Sequence, residues 1–153
     1  MNHHEFMQKA LDIANENMNR KNGRPFGAVI VKDGQVIGTG TNEILAWNDP
    51  TAHAEMLAIR DACKHQASIR LDGCILYASG EPCPMCLSAI YWAGIKEVYY
   101  ANPAIERSGV STPYLYQQLS LPSEQRDVQV EQLDMGEEAQ KILTAWQQMN
   151  TPK

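Results

Sequence analysis

The sequence predicts an α/β fold, one mixed sheet of about five strands with helices on both faces. Three observations carry that expectation. Short apolar runs rich in β-formers alternate with segments of helical apolar periodicity. Asp33-Gly34, between two such runs, is the two-residue signal of a tight antiparallel hairpin. Residues 74–101 read strand, helix, strand, a βαβ unit whose two strands run parallel. At 153 residues the chain has room for one domain, residues 1–153, and not for a second core.

Each element has its own warrant. From His4 to Met18 the apolar residues Phe6, Met7, Ala10, Leu11, Ala14 and Met18 recur at spacings of three and four. That is an amphipathic helix, and Asn2 with Glu5 starts it as a capping box. Lys21-Asn22-Gly23-Arg24-Pro25 breaks it. Residues 28–32 and 35–40 are the two hairpin strands, and 42–48 is a loop. Asp49-Pro50 offers an N-cap and a first-turn proline, so a helix is expected from about residue 51 to 63. The continuous apolar run 74–78 suits a strand buried on both faces. Pro82 or Pro84 opens a helix that ends near Gly94, and 97–101 is the next strand. Residues 102–126, rich in Ser, Pro and Gly, read as irregular with a turn of helix at 116–119. Residues 128–133 alternate like a further strand, and 137–149 closes the chain as a helix.

Composition narrows the function. Thirteen Lys plus Arg stand against eighteen Asp plus Glu, a formal net charge of −5, and no window is rich in basic residues. A chain that tracks a phosphate backbone carries a basic patch or stripe, so nucleic acid is disfavoured as a partner. No run of about 18 apolar residues exists, so no membrane-spanning helix is expected. Met1-Asn2-His3-His4-Glu5 lacks a basic segment followed by an apolar one, and the expected location is the cytoplasm. Thiols stay reduced there, so the four cysteines read as metal ligands or core residues before they read as disulfides.

Chemistry concentrates in three stretches: Asn42, His53-Ala54-Glu55, and Pro82-Cys83-Pro84-Met85-Cys86. Zinc takes thiolate and imidazole ligands in a tetrahedron. Cys83 and Cys86, three apart at a helix start, face one side, and the positive end of the helix favours their thiolates. His53 lies in the first turn of another helix. If the two helix starts meet, His53, Cys83 and Cys86 hold one zinc ion and leave its fourth position open, which separates a catalytic centre from a structural one. Glu55 converges with His53 only at a point off the helix end, where it is placed to move protons and not to bind metal. Two other readings compete. A structural zinc site needs a fourth protein ligand, for which Cys63, Cys74, His65 and His4 are available. A redox Cys-x-x-Cys pair beside a βαβ unit leaves His53 and Glu55 without a role. Cys63 and Cys74 read as buried core thiols.

The pairing of His53-x-Glu55 with Pro82-Cys83-x-x-Cys86 resembles the signature of zinc-dependent nucleobase deaminases. The chain is similar to the cytidine-deaminase-like superfamily, and within it to the small bacterial zinc-dependent guanine deaminases. The similarity runs through residues 23–34, 48–55 and 81–93, is close over 1–101 and loose beyond. Pro25-Phe26-Gly27 and Ile90-Tyr91-Trp92 are the segments that lean toward guanine deaminase. The resemblance implies a three-layer cytidine-deaminase-like fold and one Zn2+ per subunit. It implies the ligands His53, Cys83 and Cys86, with Glu55 as proton shuttle. It further implies that Phe26 stacks on the base, Asn42 hydrogen-bonds its edge and the backbone N–H of Ala54 meets it. A core role for Phe26 and a turn role for Asn42 are the competing readings. A homodimer is implied too, with the C-terminal helix over 137–153 covering an active site, exchanged between subunits in some members. Trp146 lies in that helix, and the alternative is that it packs on its own domain.

The implied activity is hydrolytic deamination of a free nucleobase, guanine to xanthine plus ammonia. One segment departs from the pattern. The family places an acidic pair after a Gly-aromatic step, whereas Ser108-Gly109-Val110-Ser111-Thr112-Pro113-Tyr114 has no carboxylate. Guanine presents N–H donors at N1 and N2, and Glu106, Glu137 or Glu138 could supply the acceptor. Without one, the substrate is another aminated heterocycle such as cytosine, isocytosine, a pteridine or a triazine. The tRNA adenosine deaminases share Asn42, His53-Ala54-Glu55 and the cysteine pair, but need a basic groove. A non-catalytic, zinc-stabilised module would have no use for Glu55.

Overall fold

The computed structural model describes residues 2–103, 106–107 and 110–151, with the backbone alone at 106, 107, 110 and 111. Its sheet grows from the expected hairpin. β1 (Arg24–Lys32) and β2 (Gln35–Asn42) pair antiparallel across Asp33 and Gly34. Both turn residues have positive φ, 49° and 76°, as a type I′ turn requires. β3 (Ile75–Gly80) lies antiparallel beside β1, and β4 (Glu97–Asn102) parallel beside β3, giving the order β2-β1-β3-β4. The parallel step crosses through α4 (Pro84–Ala93), which begins at Pro84 and ends at a left-handed Gly94. The strand-helix-strand expectation holds.

Alternation along the strands builds two cores. Val29, Val31 and Tyr77 meet Phe6 and Ala10 of α1 (His3–Met18) on one face. Ala28, Ile30, Leu76 and Ala78 meet α3 (Ala54–Gln66) and Ile90 and Ala93 of α4 on the other. Ala54, Ala58 and Ala62 form a small-residue stripe at spacing four, which lets α3 lie close on the sheet. A Cβ on Gly40 of β2 would lie 2.5 Å from the Ala58 nitrogen and closer still to the Ala54 carbonyl. The first turn of α3 therefore rests backbone against backbone on β2, and only glycine fits between them. α1 is capped as expected, Asn2 Oδ1 accepting the Glu5 N–H at 3.0 Å. Its buried face differs at the end: Asn17 is 1% exposed and Met18 51%.

Several boundaries move for identifiable reasons. β1 begins at Arg24, before the expected residue 28, because Arg24 pairs with Asn42 beyond a bulge. The 42–48 loop contains a short helix, α2 (Ile44–Trp47), closed by left-handed Asn48. α3 starts at Ala54 and not near residue 51. The Asp49 carboxylate is used earlier, accepting the Thr51 N–H at 2.8 Å and its hydroxyl at 2.7 Å, so the expected cap closes a turn. The sheet has four strands and not five. Residues 128–133 are irregular, with Val128, Val130 and Leu133 exposed. Alternation states which way side chains would point in a strand, not whether a free edge exists to pair with.

The chain divides into two compact units, residues 1–117 and 118–153. In the first, a two-stranded ladder joins β5 (Glu106–Arg107) to β6 (Val110–Ser111). α5 (Thr112–Ser120), which crosses from the first unit into the second and is longer than the single turn expected at 116–119, has Pro113 in its first turn, where a missing N–H costs nothing. In the second, the Arg126 guanidinium closes the end of α5 by donating to the carbonyls of Gln118, Leu119 and Leu121 at 3.0, 3.1 and 2.9 Å. The last helix, α6 (Gly136–Met149), has no buried residue. Among the described residues no helix is long and apolar enough to cross a membrane.

Candidate active site

Two helix starts meet on the α3–α4 side of the sheet. His53 is the N-cap of α3 and Cys83 the N-cap of α4, with Cys86 one turn in. The Cys83 and Cys86 sulfurs lie 3.6 and 3.5 Å from His53 Nδ1. One donor atom from each of the three falls within 4.8 Å of the others, and among the described residues these three alone form the group. His4, Cys63, His65 and Cys74 are not in it, so no fourth protein ligand of a structural site is present among the described residues. Two thiols and an imidazole nitrogen at this spacing fit zinc.

The electrostatics suit metal-binding thiolates. His53 and Cys83 hold the N-cap positions, so the positive ends of both helix dipoles lie at the centre. The Cys83 thiol is held down to about 4, chiefly by a hydrogen bond from Cys86 and against the cost of burial, with His53 helping. The same bond, with burial and the Glu55 carboxylate, pushes Cys86 up.

Glu55, the second residue of α3, is 1% exposed and in hydrogen-bond contact with Cys86. Ala54 is buried beside it. Asn42, at the end of β2, is buried, and its Oδ1 accepts the Ile44 N–H at 3.2 Å. That bond fixes the amide with Nδ2 turned the other way, and Nδ2 is buried without a hydrogen-bond partner among the described residues. Glu43 ties this strand end to the turn ahead of His53, its N–H donating to the Ala52 carbonyl at 2.9 Å. Phe26 is half-buried and packs on the core cluster that contains Ala54 and Ile90. Of the proposed acceptors for a guanine edge, the Glu106 side chain lies outside the described residues, as do Ser108 and Gly109. Glu137 and Glu138 are exposed in the first turn of α6.

Sequence reasoning missed the polar side chains behind Asn42. Asn17 Nδ2 donates to the carbonyls of Arg24 and Asn42 at 2.9 and 3.0 Å. Arg20 donates to Asn17 Oδ1 at 3.2 Å and to Glu43 Oε1 at 3.3 Å, and the Thr41 hydroxyl to Glu43 Oε1 at 2.6 Å. The signal was present: Asn17 falls at spacing three after Ala14 on the buried stripe, where a polar residue needs internal partners.

Residues 1–102 match the family model of the cytidine and deoxycytidylate deaminase zinc-binding region. The chain is 48% identical over 139 residues to the guanine deaminase of Bacillus subtilis (strain 168), covering 90% of this chain and 89% of that protein. It is similar to an X-ray structure of guanine deaminase from Bacillus subtilis with a TM-score of 0.89 at 44% identity, over 100% of this chain and 98% of the other. A tRNA-specific adenosine deaminase of Streptococcus pyogenes serotype M1 is 41% identical over 126 residues, 82% of this chain and 72% of that protein. A guanine deaminase from Nitrosomonas europaea matches with a TM-score of 0.63 at 30% identity, over 67% of this chain and 59% of the other. The family model spans the strands and helices that build the three-donor centre, and the chain belongs to the cytidine and deoxycytidylate deaminase zinc-binding family as a zinc-dependent aminohydrolase.

Proposed function

We propose that the protein deaminates a free nucleobase by hydrolysis, converting guanine to xanthine and ammonia. One observation carries the reading: a buried carboxylate, Glu55, stands beside a three-donor soft site on a chain 48% identical to a guanine deaminase. Zinc held by His53, Cys83 and Cys86 supplies the Lewis acidity that activates water for attack on the ring carbon bearing the amine. Glu55 takes one proton from the attacking water and delivers it to the adjacent ring nitrogen. It then takes the proton of the new hydroxyl and gives it to the departing amine. The C–N bond breaks, ammonia leaves and a carbonyl stands in the amine's place.

The remaining residues hold the base. Asn42 Nδ2 is a donor for an acceptor atom on the rim of the ring. The Ala54 N–H, first in α3, has no acceptor within its own helix and is a second donor. Phe26 offers an aromatic face. The reading extends to a homodimer in which α6 covers an active site. Ile142, Trp146 and Met149 fall at spacings of four and three and are exposed in this chain, as are Tyr91 and Trp92 of α4. A second copy is the occupant that buries such a stripe; sedimentation of the parent as a dimer and of Trp146→Asp as a monomer is the expected result. The reduced thiols that the centre requires fit the cytoplasm.

The test is ammonia release by zinc-loaded protein from guanine, adenine, cytosine, isocytosine, their nucleosides and a tRNA anticodon stem-loop. Turnover of guanine alone is expected, with kcat lower by about a hundred- to ten-thousandfold in Glu55→Gln at unchanged zinc content. Activity on the stem-loop or on another base, with none on guanine, overturns the assignment.

A further inference from the structure

We infer that Asn17, in the last turn of α1, is a positioning residue for base recognition, pinning the two strand ends that carry Phe26 and Asn42. The inference rests on the reading that those two side chains touch the base. Its ground is the pairing of β1 with β2. Arg24 faces Asn42, and the next pair is Gly27 with Thr41. Pro25 and Phe26 are therefore inserted into β1 opposite no residue of β2. A bulge of this kind re-aims a side chain, and proline, with no N–H to donate, suits it.

Asn17 closes one side of that bulge. Its Nδ2 spans the first residue of β1 and the last of β2, donating to the Arg24 and Asn42 carbonyls at 2.9 and 3.0 Å. Carbonyls only accept, so the orientation of the amide is fixed, and Oδ1 is left for Arg20 at 3.2 Å. Both donors and one acceptor site are used within a residue that is almost fully buried. The other side of the bulge is held by Ser79, whose Oγ accepts the Gly27 N–H at 3.0 Å. Phe26 thus projects from a loop pinned at both ends.

Asn42 is held from behind by the same residue. Asn17 fixes its carbonyl, Ile44 fixes its Oδ1, and the next residue, Glu43, is braced by Thr41 and Arg20. What remains is the buried Nδ2, a donor without a partner among the described residues. A group of that kind is tolerated where a ligand completes it. Asn17 therefore sets where the Asn42 donor stands relative to the face of Phe26, although it reaches neither the base nor the reacting atoms.

The experiment uses the zinc-loaded full chain. Asn17→Ala and Arg20→Met are made in the parent and in Asn42→Ala. The Arg20 side chain is 62% exposed, so its variant keeps the fold if Asn17→Ala does not. Guanine kcat and KM are measured, together with the Asn42 side-chain NH2 signals in 1H–15N spectra. Asn17→Ala is expected to raise KM about tenfold with kcat within about threefold, since a misplaced donor weakens ground and transition states alike. Arg20→Met is expected to raise KM about threefold. Both shift the Asn42 NH2 signals, and both lose most of their effect in Asn42→Ala. A fall in kcat at constant KM, effects undiminished in Asn42→Ala, or unmoved Asn42 signals overturns the inference. If the signals move but Asn42→Ala leaves KM unchanged, the base-contact reading has failed and the inference falls with it, by a route the spectra distinguish.

Discussion

Gly40→Ala tests whether the close approach of α3 to β2 places the catalytic turn. The added Cβ would stand 2.5 Å from the Ala58 nitrogen and nearer to the Ala54 carbonyl, where ordinary contact begins at 3.4 Å. Helix and strand must part by about 0.9 Å or more, the step from 2.5 to 3.4 Å. Overpacking of this order costs about 1–3 kcal/mol. For a chain of this length that is a fall in Tm of roughly 3–10 °C. The displacement falls on the turn that carries His53, Ala54 and Glu55, and a misplacement near 1 Å in a catalytic group costs about a hundredfold in rate. Gly38→Ala is the control. Its Cβ would meet Ala58 and Ala62 at 2.7 Å, one and two turns further along the same helix. It should lose a similar Tm but less than about tenfold in kcat/KM. Thermal unfolding of the zinc-loaded proteins and ammonia release well below both Tm values give the two quantities. Equal losses of activity in the two variants, or Gly40→Ala within threefold of the parent despite a lower Tm, would refute the argument.

Chelation should abolish activity and lower Tm while leaving one cooperative transition, because the two cores on the sheet do not include the metal ligands. Saturation at a thousandfold over Kd is worth about 4 kcal/mol, so added zinc should restore about 10 °C or more. In metal-free protein His53→Asn should raise Tm by about 3 °C, since asparagine supplies the cap bond that His53 does not make, worth about 1 kcal/mol, while zinc binding is lost. Tyr77→Phe removes the hydrogen bond between the Tyr77 hydroxyl and His3 Nδ1 at 2.7 Å, a loss of about 1 kcal/mol and about 3 °C. Burial raises the Tyr77 hydroxyl above its ordinary value, with Tyr99 and Glu97 adding to it. Its contribution is therefore complete below about pH 10 and lost as pH rises through the higher folded value, so Tyr77→Phe should flatten the alkaline limb of a Tm–pH profile.

What the sequence discloses depends on how local the physics is. The Asp33-Gly34 hairpin, the α4 crossover and the Asn2 cap are decided by neighbouring residues, and all three stand as read. So does the meeting of His53 with Cys83 and Cys86, because zinc chemistry constrains residue type and spacing together. Residues 128–133 failed because a strand exists only with a partner edge, and nothing local to the segment reports one. Asn17 escaped notice for a related reason. Its partners are backbone carbonyls 7 and 25 residues away, and carbonyls have no letter in the sequence. The pattern of apolar residues drew Met18 into the buried face, when the position beside it was a polar residue bonded to two strand ends.

The misplaced start of α3 shows how function overrides a local rule. Asp49-Pro50 is a strong helix opening, yet the helix waits until Ala54. A helix that began near residue 51 would put His53 inside its first turn, with its ring on the side wall. With His53 as the cap, the ring lies ahead of the helix end, where it can meet a cap residue of a second helix. The proper capping residue is used one turn early to close the Asp49–Thr51 turn, and the real cap position goes to a side chain that makes no cap bond. Cys83 repeats the arrangement on α4, where Pro84 takes the first helical position behind it. Two helices thus forgo a stabilising cap of about 1 kcal/mol each. Both bring the positive end of a helix dipole to the centre, which favours thiolate at Cys83, the cap of α4. Departure from good capping at two adjacent helix starts is therefore part of the centre's construction, and the misplaced start of α3 is an error of local reading that falls where the chemistry is.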